Sequence, residues 1–267
     1  MSTSSKLRAL SSLNQLEYDR LFEVFDPLIK EKLARVTLKG QFRLFQSFVE
    51  PSNCSLRGSK AKLDFILMFL KENPNQSYHG FLFNISQSKV SVLISYLLPV
   101  LEQSLINMGV MPKTGYEYKV PPSDDDYLIV DVTEREIPRD VDYENQKEAY
   151  SGKKKLHTLK TLAITNQTGE ILFVSNSYEG SVHDKKIWDE ITFDFRDLNI
   201  LADLGFVGAD KECLNIILPY KKTKNKDITE LQKVINKGIG SVRVKVEHAF
   251  NGVKRLKIAR NKIRLKT

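Results

Sequence analysis

Three acidic residues have positions suited to a shared catalytic site, although they are far apart in the chain. Asp131 follows the apolar run at residues 127–130, and Asp203 follows a second, shorter apolar run. Glu247 lies in a segment with helical periodicity. A carboxylate on a buried strand is unfavourable unless it is paired or binds a metal, and one acid alone does not form a catalytic metal site. The question is therefore whether the fold brings the three acids together over one edge of a sheet.

Three strands are predicted around the first of these acids. Residues 127–134 are rich in β-forming side chains and begin to alternate after Asp131, which is typical of a central strand. Residues 156–165 and 171–178 predict two further strands. The short turn between them contains Gly169, so we expect these two strands to form a hairpin.

The other two acids are assigned to a short strand and to a long helix. Residues 199–202 predict a fourth strand that ends at Asp203, and ligands of open α/β sheets bind at the carboxyl ends of strands. The helix at residues 242–256 has an apolar stripe of Val242, Val246, Phe250 and Val253. Beside it runs a polar stripe of Arg243, Glu247, Asn251 and Lys254. The order β-β-β-α-β-α predicts a mixed sheet with helices on its faces.

Each acid also has a simpler structural interpretation. Asp131 could pair with a lysine of the run at residues 153–155, and Asp203 could cap a loop. Glu247 stands four residues after Arg243, a spacing typical of a surface ion pair. What favours catalysis is the combination of a strand acid, a strand-end acid and a helix acid next to basic residues.

The N-terminal region is predicted to be helical. Residues 14–35 carry apolar side chains at helical spacing, and Asn14 with Glu17 matches a capping box. Pro27 is expected to kink this helix or to divide it in two.

A three-helix pattern follows within residues 59–108. The first helix is stopped at Asn73, a short helix follows, and a long helix begins after the cap Ser86. Three helices of which the last two are joined by a short turn are typical of a helix-turn-helix unit, and small bundles without DNA partners have the same pattern. In the DNA-binding interpretation, the residues that face the groove are Gln87, Ser88 and Lys89.

Residues 109–126 contain several prolines and glycines and are interpreted as a linker, with the domain boundary near residue 118. The predicted organisation is a helical N-terminal region, residues 1–118, followed by a catalytic α/β domain, residues 119–267.

Composition narrows the class of protein. The chain has 267 residues, of which 41% are hydrophobic and 28% charged, and we expect no apolar run near the roughly 20 residues that a membrane helix needs. Residues 1–12 have no apolar core, so no signal peptide is expected. Its two cysteines, Cys54 and Cys213, are far apart, which excludes a cysteine zinc site and indicates reduced thiols. We expect a cytoplasmic, nucleoid-associated protein without a membrane partner.

The positive charge is concentrated at the C-terminal end. Residues 221–267 contain 15 Lys and Arg against 3 acids, whereas the rest of the chain contains 26 against 30. Such a segment suggests a polyanionic partner, most often nucleic acid, and a solvated tail is the alternative. Lys254 is the best candidate for a phosphate contact because it lies two helical turns beyond Glu247 on nearly the same face.

Five motifs in the same order resemble DDE-type insertion-sequence transposases of the branch related to Harbinger elements. They are Asp-Val-Thr-Glu at 131–134, Ser-Gly-Lys-Lys-Lys-Leu-His-Thr at 151–158, Gly-Ser-Val-His-Asp at 180–184, Asp-Leu-Gly-Phe at 203–206, and Arg243, Glu247 and Lys254. The family's tyrosine three residues before the arginine is replaced by Gly240. The catalytic part of the resemblance covers about residues 125–260.

The resemblance implies an RNase H-like mixed sheet with flanking helices, preceded by an all-α helix-turn-helix domain. It implies that Asp131, Asp203 and Glu247 hold two Mg²⁺ ions, with Mn²⁺ as a substitute, at the scissile phosphate. His183 and Asp184 are assigned to structural support of this site, and Arg243 to DNA binding. The expected partners of the protein are double-stranded DNA, at the ends of the element and at the target, and a second copy of the chain.

The function expected from these observations is a DNA transposase that cuts and joins DNA. A metal-dependent nuclease that does not transpose and a domesticated DNA-binding protein are the alternatives.

Overall fold

The computed structural model describes residues 3–120, 126–194, 198–211, 213–222 and 227–264. The described residues form two compact units. The first contains the chain up to Met111 together with Lys254–Arg260, and the second begins at Pro112, continues to Val253 and takes up the chain again from Asn261.

The first unit is helical. Its elements are α1 (Thr3–Ser11), α2 (Gln15–Arg35), α3 (Gly58–Glu72), α4 (Gln76–Phe83) and α5 (Gln87–Asn107), with the short α9 (Lys257–Arg260) from the C-terminal part of the chain. Leu21, Phe25, Ile66 and Leu97 are among the fully or almost fully buried side chains of its core.

The helix ends follow the capping signals of the sequence. Asn14 and Glu17 form both halves of the capping box of α2. Asn73 ends α3 in the left-handed conformation, which asparagine tolerates better than most residues. Ser86 caps α5 and accepts a hydrogen bond from the backbone N–H of Lys89. The three predicted helices of residues 59–108 are therefore present as helices.

Of the two outcomes expected at Pro27, a kink or a division of the first long helix, the division is wrong and the kink stays a prediction. α2 runs without interruption from Gln15 to Arg35. Its buried residues lie on both sides of the proline, from Tyr18 to Leu33. Burial of one continuous apolar face offsets the loss of the single backbone hydrogen bond that proline cannot donate.

The expectation that no apolar run approaches the length of a membrane helix is wrong for one helix. Within the described residues, α5 is long and apolar enough to cross a membrane by length and composition alone. Its side chains, including Val90, Leu93 and Leu97, are part of the core of the helical unit. The apolar character of α5 is thus explained by its place as a core helix.

The second unit is built on a mixed sheet. Its strands are β1 (Lys113–Gly115), β2 (Glu117–Lys119), β3 (Tyr127–Glu136), β4 (Tyr150–Ser151), β5 (Leu156–Thr165), β6 (Ile171–Ser175), β7 (Tyr178–Glu179), β8 (Thr192–Asp194), β9 (Asn199–Leu201) and β10 (Ile216–Ile217). Its helices are α6 (Tyr143–Ala149), α7 (Asp184–Asp189) and α8 (Glu230–Lys254).

The main sheet has the order β1-β6-β5-β3-β9-β10. β3, β5 and β6 are antiparallel neighbours, whereas β3, β9 and β10 are parallel. Gly169 has a φ of 88° in the turn between β5 and β6, as the hairpin prediction requires. The mixed sheet with flanking helices is consistent with the RNase H-like fold predicted from the sequence.

The two faces of β3 have different roles. Leu128 and Val130 are buried in the apolar core with Ile187 and Trp188 of α7. Asp131 and Ile129 point to the opposite face because side chains alternate along a strand. The carboxylate is thus kept away from the main apolar core of this unit.

The segment interpreted as a linker, residues 109–126, contains regular structure, because it contributes β1 and β2. Its prolines at residues 121 and 122 lie outside the described residues, as do residues 223–226 of the basic C-terminal segment.

Candidate active site

The two aspartates are brought together by the parallel pairing of β3 with β9. Leu128 is opposite Ile200, and Ile129 is opposite Leu201. Two residues further along each strand stand Asp131 and Asp203, on the face that Ile129 and Leu201 share. Their side chains are only 18% and 25% exposed. The sheet therefore places two carboxylates next to each other with little access to solvent.

Arg243 of α8 lies against both carboxylates. Its Nη2 is 3.6 Å from Oδ2 of Asp131 and 3.9 Å from Oδ2 of Asp203. The arginine side chain is 17% exposed, and its buried Nε has no hydrogen-bond partner within the described residues. These N···O distances exceed those of charge-assisted hydrogen bonds, so Arg243 provides compensating charge without a tight bidentate contact.

Asp131 has an unusual pKa. Burial raises the pKa of its carboxyl group to about 6, and the nearby Asp203 adds to this rise. The positive charge of Arg243, the hydrogen bond from the backbone N–H of Val132 and the charge of Lys153 all lower the pKa, but they do not outweigh burial. The carboxylate is therefore incompletely compensated, which is a common property of functional acids.

The position of Asp203 agrees both with a loop cap and with a place in the candidate site. Its Oδ1 accepts a hydrogen bond of 2.7 Å from the backbone N–H of Gly205, at the start of the 3-10 turn Leu204–Phe206. It thus caps a loop, as the structural alternative states. Its other oxygen lies near Arg243, so the cap also fixes the carboxylate in the site.

Asp184 contacts the same turn. A Cβ at Gly205 would lie 2.6 Å from Oδ2 of Asp184 and 2.8 Å from Oδ1 of Asp203. The other oxygen of Asp184 accepts a hydrogen bond of 2.9 Å from Nζ of Lys160, which also donates to the carbonyl of Val182. Lys160 therefore holds Asp184 beside the loop that carries Asp203.

The two residues assigned to structural support, His183 and Asp184, lie at the start of α7. Asp184 is the first residue of this helix, and its carboxylate pairs with the Lys160 ammonium. His183 precedes the helix as its N-cap residue without a side-chain cap hydrogen bond and is exposed.

Glu247 is not part of the carboxylate pair. It lies one turn after Arg243 on α8 and is exposed. Within the described residues, no group of three His, Cys, Asp or Glu side chains is arranged to hold a metal ion. The structure thus brings together Asp131 and Asp203, while the role of Glu247 as the third acid stays a prediction.

α8 makes several polar contacts with the rest of its unit. Lys245 donates to the hydroxyl of Tyr127 and to the carbonyl of Gln167. Asn236 exchanges two hydrogen bonds with the backbone of Tyr220. Of the predicted apolar stripe, Val246 is buried and Val253 is 43% exposed. The stripe is therefore only partly used for packing.

Two of the structural alternatives are not what the structure shows. Arg243 forms its described ion pairs with the aspartates, so a simple surface pair with Glu247 does not account for it. Asp131 has no described ion pair with a lysine of residues 153–155, although the charge of Lys153 acts on its pKa.

Sequence reasoning missed two features of this site. Lys160 was interpreted only as part of a strand, and Arg243 only as a DNA contact or as an ion-pair partner of Glu247. The Asp-Leu-Gly-Phe motif contained a usable signal for the close packing, because Gly205 has no Cβ and follows an aspartate by two residues. No signal in the sequence indicated that Asp184 packs against the same glycine.

The N-terminal candidates lie at the start of α5. Gln87, Ser88 and Lys89 are exposed in the first turn. The Gln87 side chain donates to Gln76 of α4, and the Ser88 hydroxyl lies 3.0 Å from that of Ser86. Accessibility and position agree with a recognition surface, and their contact with DNA stays a prediction.

Sequence comparison relates the chain to a known protein family and to a probable transposase. The profile of the family described as DDE superfamily endonuclease matches residues 130–267. A probable transposase for insertion sequence element IS702 from Microchaete diplosiphon is 33% identical over 145 residues, which are 54% of this chain and 51% of that protein. The chain thus spans about half the length of this relative. No solved structure matches the chain.

Replacing Gly205 with Ala should destabilise the site. The added methyl group would collide with the carboxylates of Asp184 and Asp203, and Lys160 restrains the former. We expect a loss of about 1–3 kcal/mol in the free energy of unfolding, measured by urea denaturation. Gly152→Ala is the control because nothing lies within 4 Å of the position that its methyl group would take. Equal stability of the two variants would contradict this packing.

Replacing Asp131 with Asn should stabilise the metal-free protein at high pH. The folded pKa of about 6 exceeds the unfolded value of about 3.9, so the wild type loses stability as the pH rises through this window. At pH 4 the two proteins should be nearly equal, and at pH 8 the variant should be more stable by roughly 2–3 kcal/mol. Chemical unfolding in a chelator measures this difference.

The exposed Asp227 provides the control for that experiment, since Asp227→Asn should show a small difference that does not follow this profile. A wild type that gains stability relative to Asp131→Asn between pH 4 and pH 8 would show that Asp131 is well compensated.

Proposed function

The chain belongs to the family of DDE superfamily endonucleases, and from this premise we propose that it is a DNA transposase. It would cut and join DNA at the ends of a mobile element by two-metal phosphoryl transfer. The similarity to a probable transposase supports this proposal.

The observation that carries the proposal is the pair of buried, adjacent carboxylates of Asp131 and Asp203. Carboxylate oxygens suit hard cations such as Mg²⁺, and Mn²⁺ accepts the same ligands. The raised pKa of Asp131 indicates a site in which the negative charge is under-compensated. These two residues therefore fit a metal site, and we propose Glu247 of α8 as their third partner.

The protein would contribute position and charge to the reaction. The bound ions would activate the attacking oxygen and stabilise the leaving oxygen at the phosphate. Asp131 and Asp203 would hold those ions at the sheet edge. Arg243 and Lys254 would contact DNA phosphates, and water or a DNA 3′-hydroxyl would be the nucleophile for cleavage or joining.

Recognition of the element end is assigned to the helical unit. We propose that the α3–α5 region acts as a helix-turn-helix and that Gln87, Ser88 and Lys89 contact the DNA. Support comes from the position of these three residues in the first turn of α5, which is exposed and is capped by Ser86. Two copies of the chain would be needed to bring two element ends together.

Removing any one of the three acids should abolish cleavage while leaving DNA binding largely intact. Asp131→Asn, Asp203→Asn and Glu247→Gln each retain shape and remove a metal ligand, so we expect losses of at least roughly 100-fold in cleavage. The assay follows cutting and strand transfer on duplexes that carry the sequences flanking the gene, with Mg²⁺. Cutting without joining would favour the nuclease alternative.

Asp184→Asn is the matched control, because Asp184 lies beside the site and would not bind metal. It should lose less activity than Asp203→Asn. Full cleavage by the Asp203→Asn protein would contradict the proposed site.

Replacing Gln87 or Lys89 with Ala should reduce the preference of the full chain for end DNA over random duplex. Direct base contacts contribute roughly 1–3 kcal/mol each, and phosphate contacts add salt dependence. Binding is measured by fluorescence anisotropy across a salt series. Gln103→Ala, at the other end of α5, is the control. An undiminished preference in the Gln87 and Lys89 variants would remove α5 from recognition.

A further inference from the structure

Arg243 stands where a cation bound by both aspartates would have to stand. Its Nη2 lies within 4 Å of both carboxylates, which come from adjacent strands of one sheet. A metal ligated by Asp131 and Asp203 must approach the same oxygens much more closely, at about 2.0–2.1 Å for Mg²⁺. A guanidinium and a metal ion therefore compete for this position.

The contacts of Arg243 are suited to exchange. The distances of 3.6 Å and 3.9 Å are longer than those of bidentate pairs, so little directional bonding is lost when the side chain leaves. Its Nε is buried without a hydrogen-bond partner within the described residues, which is a cost in the present position. The oxygens of a phosphate group outside the aspartate pair would be better hydrogen-bond acceptors for the N–H groups of the guanidinium.

Charge explains why the arginine is needed when metal is absent. Two nearly buried carboxylates repel each other, and the small exposure of both side chains limits screening by water. Lys160, on the other face of the sheet, is already used by Asp184 and the carbonyl of Val182. Arg243 is thus the described cation that pairs with both Asp131 and Asp203.

We propose that Arg243 is an internal counter-ion that occupies the aspartate pair in the free protein and is displaced by metal, so that it couples metal binding to DNA binding. This inference rests on the proposed function. A DNA phosphate that takes up Arg243 frees Asp131 and Asp203 for metal. By linkage, metal must then tighten DNA binding by the same factor as DNA tightens metal binding.

The first test measures Mn²⁺ affinity of the full chain without DNA, by isothermal titration. Arg243→Gln removes the competing cation, and we expect its affinity for Mn²⁺ to be at least roughly 10-fold higher than that of the wild type. Arg243→Lys keeps the charge on a shorter and more strongly hydrated side chain, so its affinity should lie between the two.

Lys237→Gln is the matched control, because it removes one positive charge from the exposed surface of the same helix. Its Mn²⁺ affinity should remain within about twofold of the wild type, since exposed charges are screened. An equal increase in Lys237→Gln and Arg243→Gln would mean that net charge alone sets the affinity, and it would overturn the proposal.

The second test measures the coupling itself. The affinity of the full chain for a duplex with the gene-flanking sequence is compared with and without Ca²⁺, a hard cation with the same type of ligands. In the wild type the cation should tighten DNA binding at least fivefold, and in Arg243→Gln this gain should fall below twofold. Circular dichroism confirms that each variant is folded.

The outcomes separate two failures. A wild type that binds neither divalent metal nor DNA would contradict the proposed function and this inference with it. A wild type that binds metal and cleaves DNA, while Arg243→Gln and Arg243→Lys bind Mn²⁺ no more tightly, would overturn the counter-ion role alone.

Discussion

The arrangement of the second unit, which contains the main sheet, depends on the repulsion between two carboxylates that the sheet holds side by side. Parallel pairing of β3 with β9 fixes Asp131 and Asp203 on one face, and neither side chain is more than 25% exposed. The fold must supply positive charge to this face. In the described structure it does so with a single arginine from α8, and the pKa of Asp131 remains raised because that compensation is incomplete.

The opposite face of the sheet holds the loop of Asp203 in place by a separate ion pair. Lys160 and Asp184 are both largely buried, and the Asp184 carboxylate lies against the turn at Gly205. A buried pair of this kind contributes less to stability than to geometry, because desolvation offsets much of its attraction. Asp184 is therefore best understood as a residue that limits the movement of the Asp203 carboxylate.

Much of this architecture could be predicted from local sequence signals. Strand-forming runs that end in an acid gave Asp131 and Asp203, and capping residues gave the ends of α2, α3 and α5. The apolar length of α5 was underestimated although its N-terminal cap was predicted, and the structure shows one continuous helix from Gln87 to Asn107. These signals act within a few residues, so they can be read without knowledge of the fold.

The position of Glu247 could not be read in the same way. Helical periodicity shows which residues of α8 share a face, but it does not show how far the helix lies along the sheet. Arg243 and Glu247 share that face, and a difference of one helical turn, about 5.4 Å, decides which of them meets the aspartates. The described structure places Arg243 there, through polar contacts of Lys245 and Asn236 that have no periodic signature.

Anomalous scattering from Mn²⁺ in crystals of the full chain tests most directly whether the pair of aspartates binds metal. We expect an ion bound by carboxylate oxygens of both Asp131 and Asp203, with the Arg243 guanidinium withdrawn from the pair. Crystals at saturating Mn²⁺ in which Arg243 still lies between the two aspartates, and no ion contacts either carboxylate, would contradict the claim that this pair is a metal-dependent catalytic site.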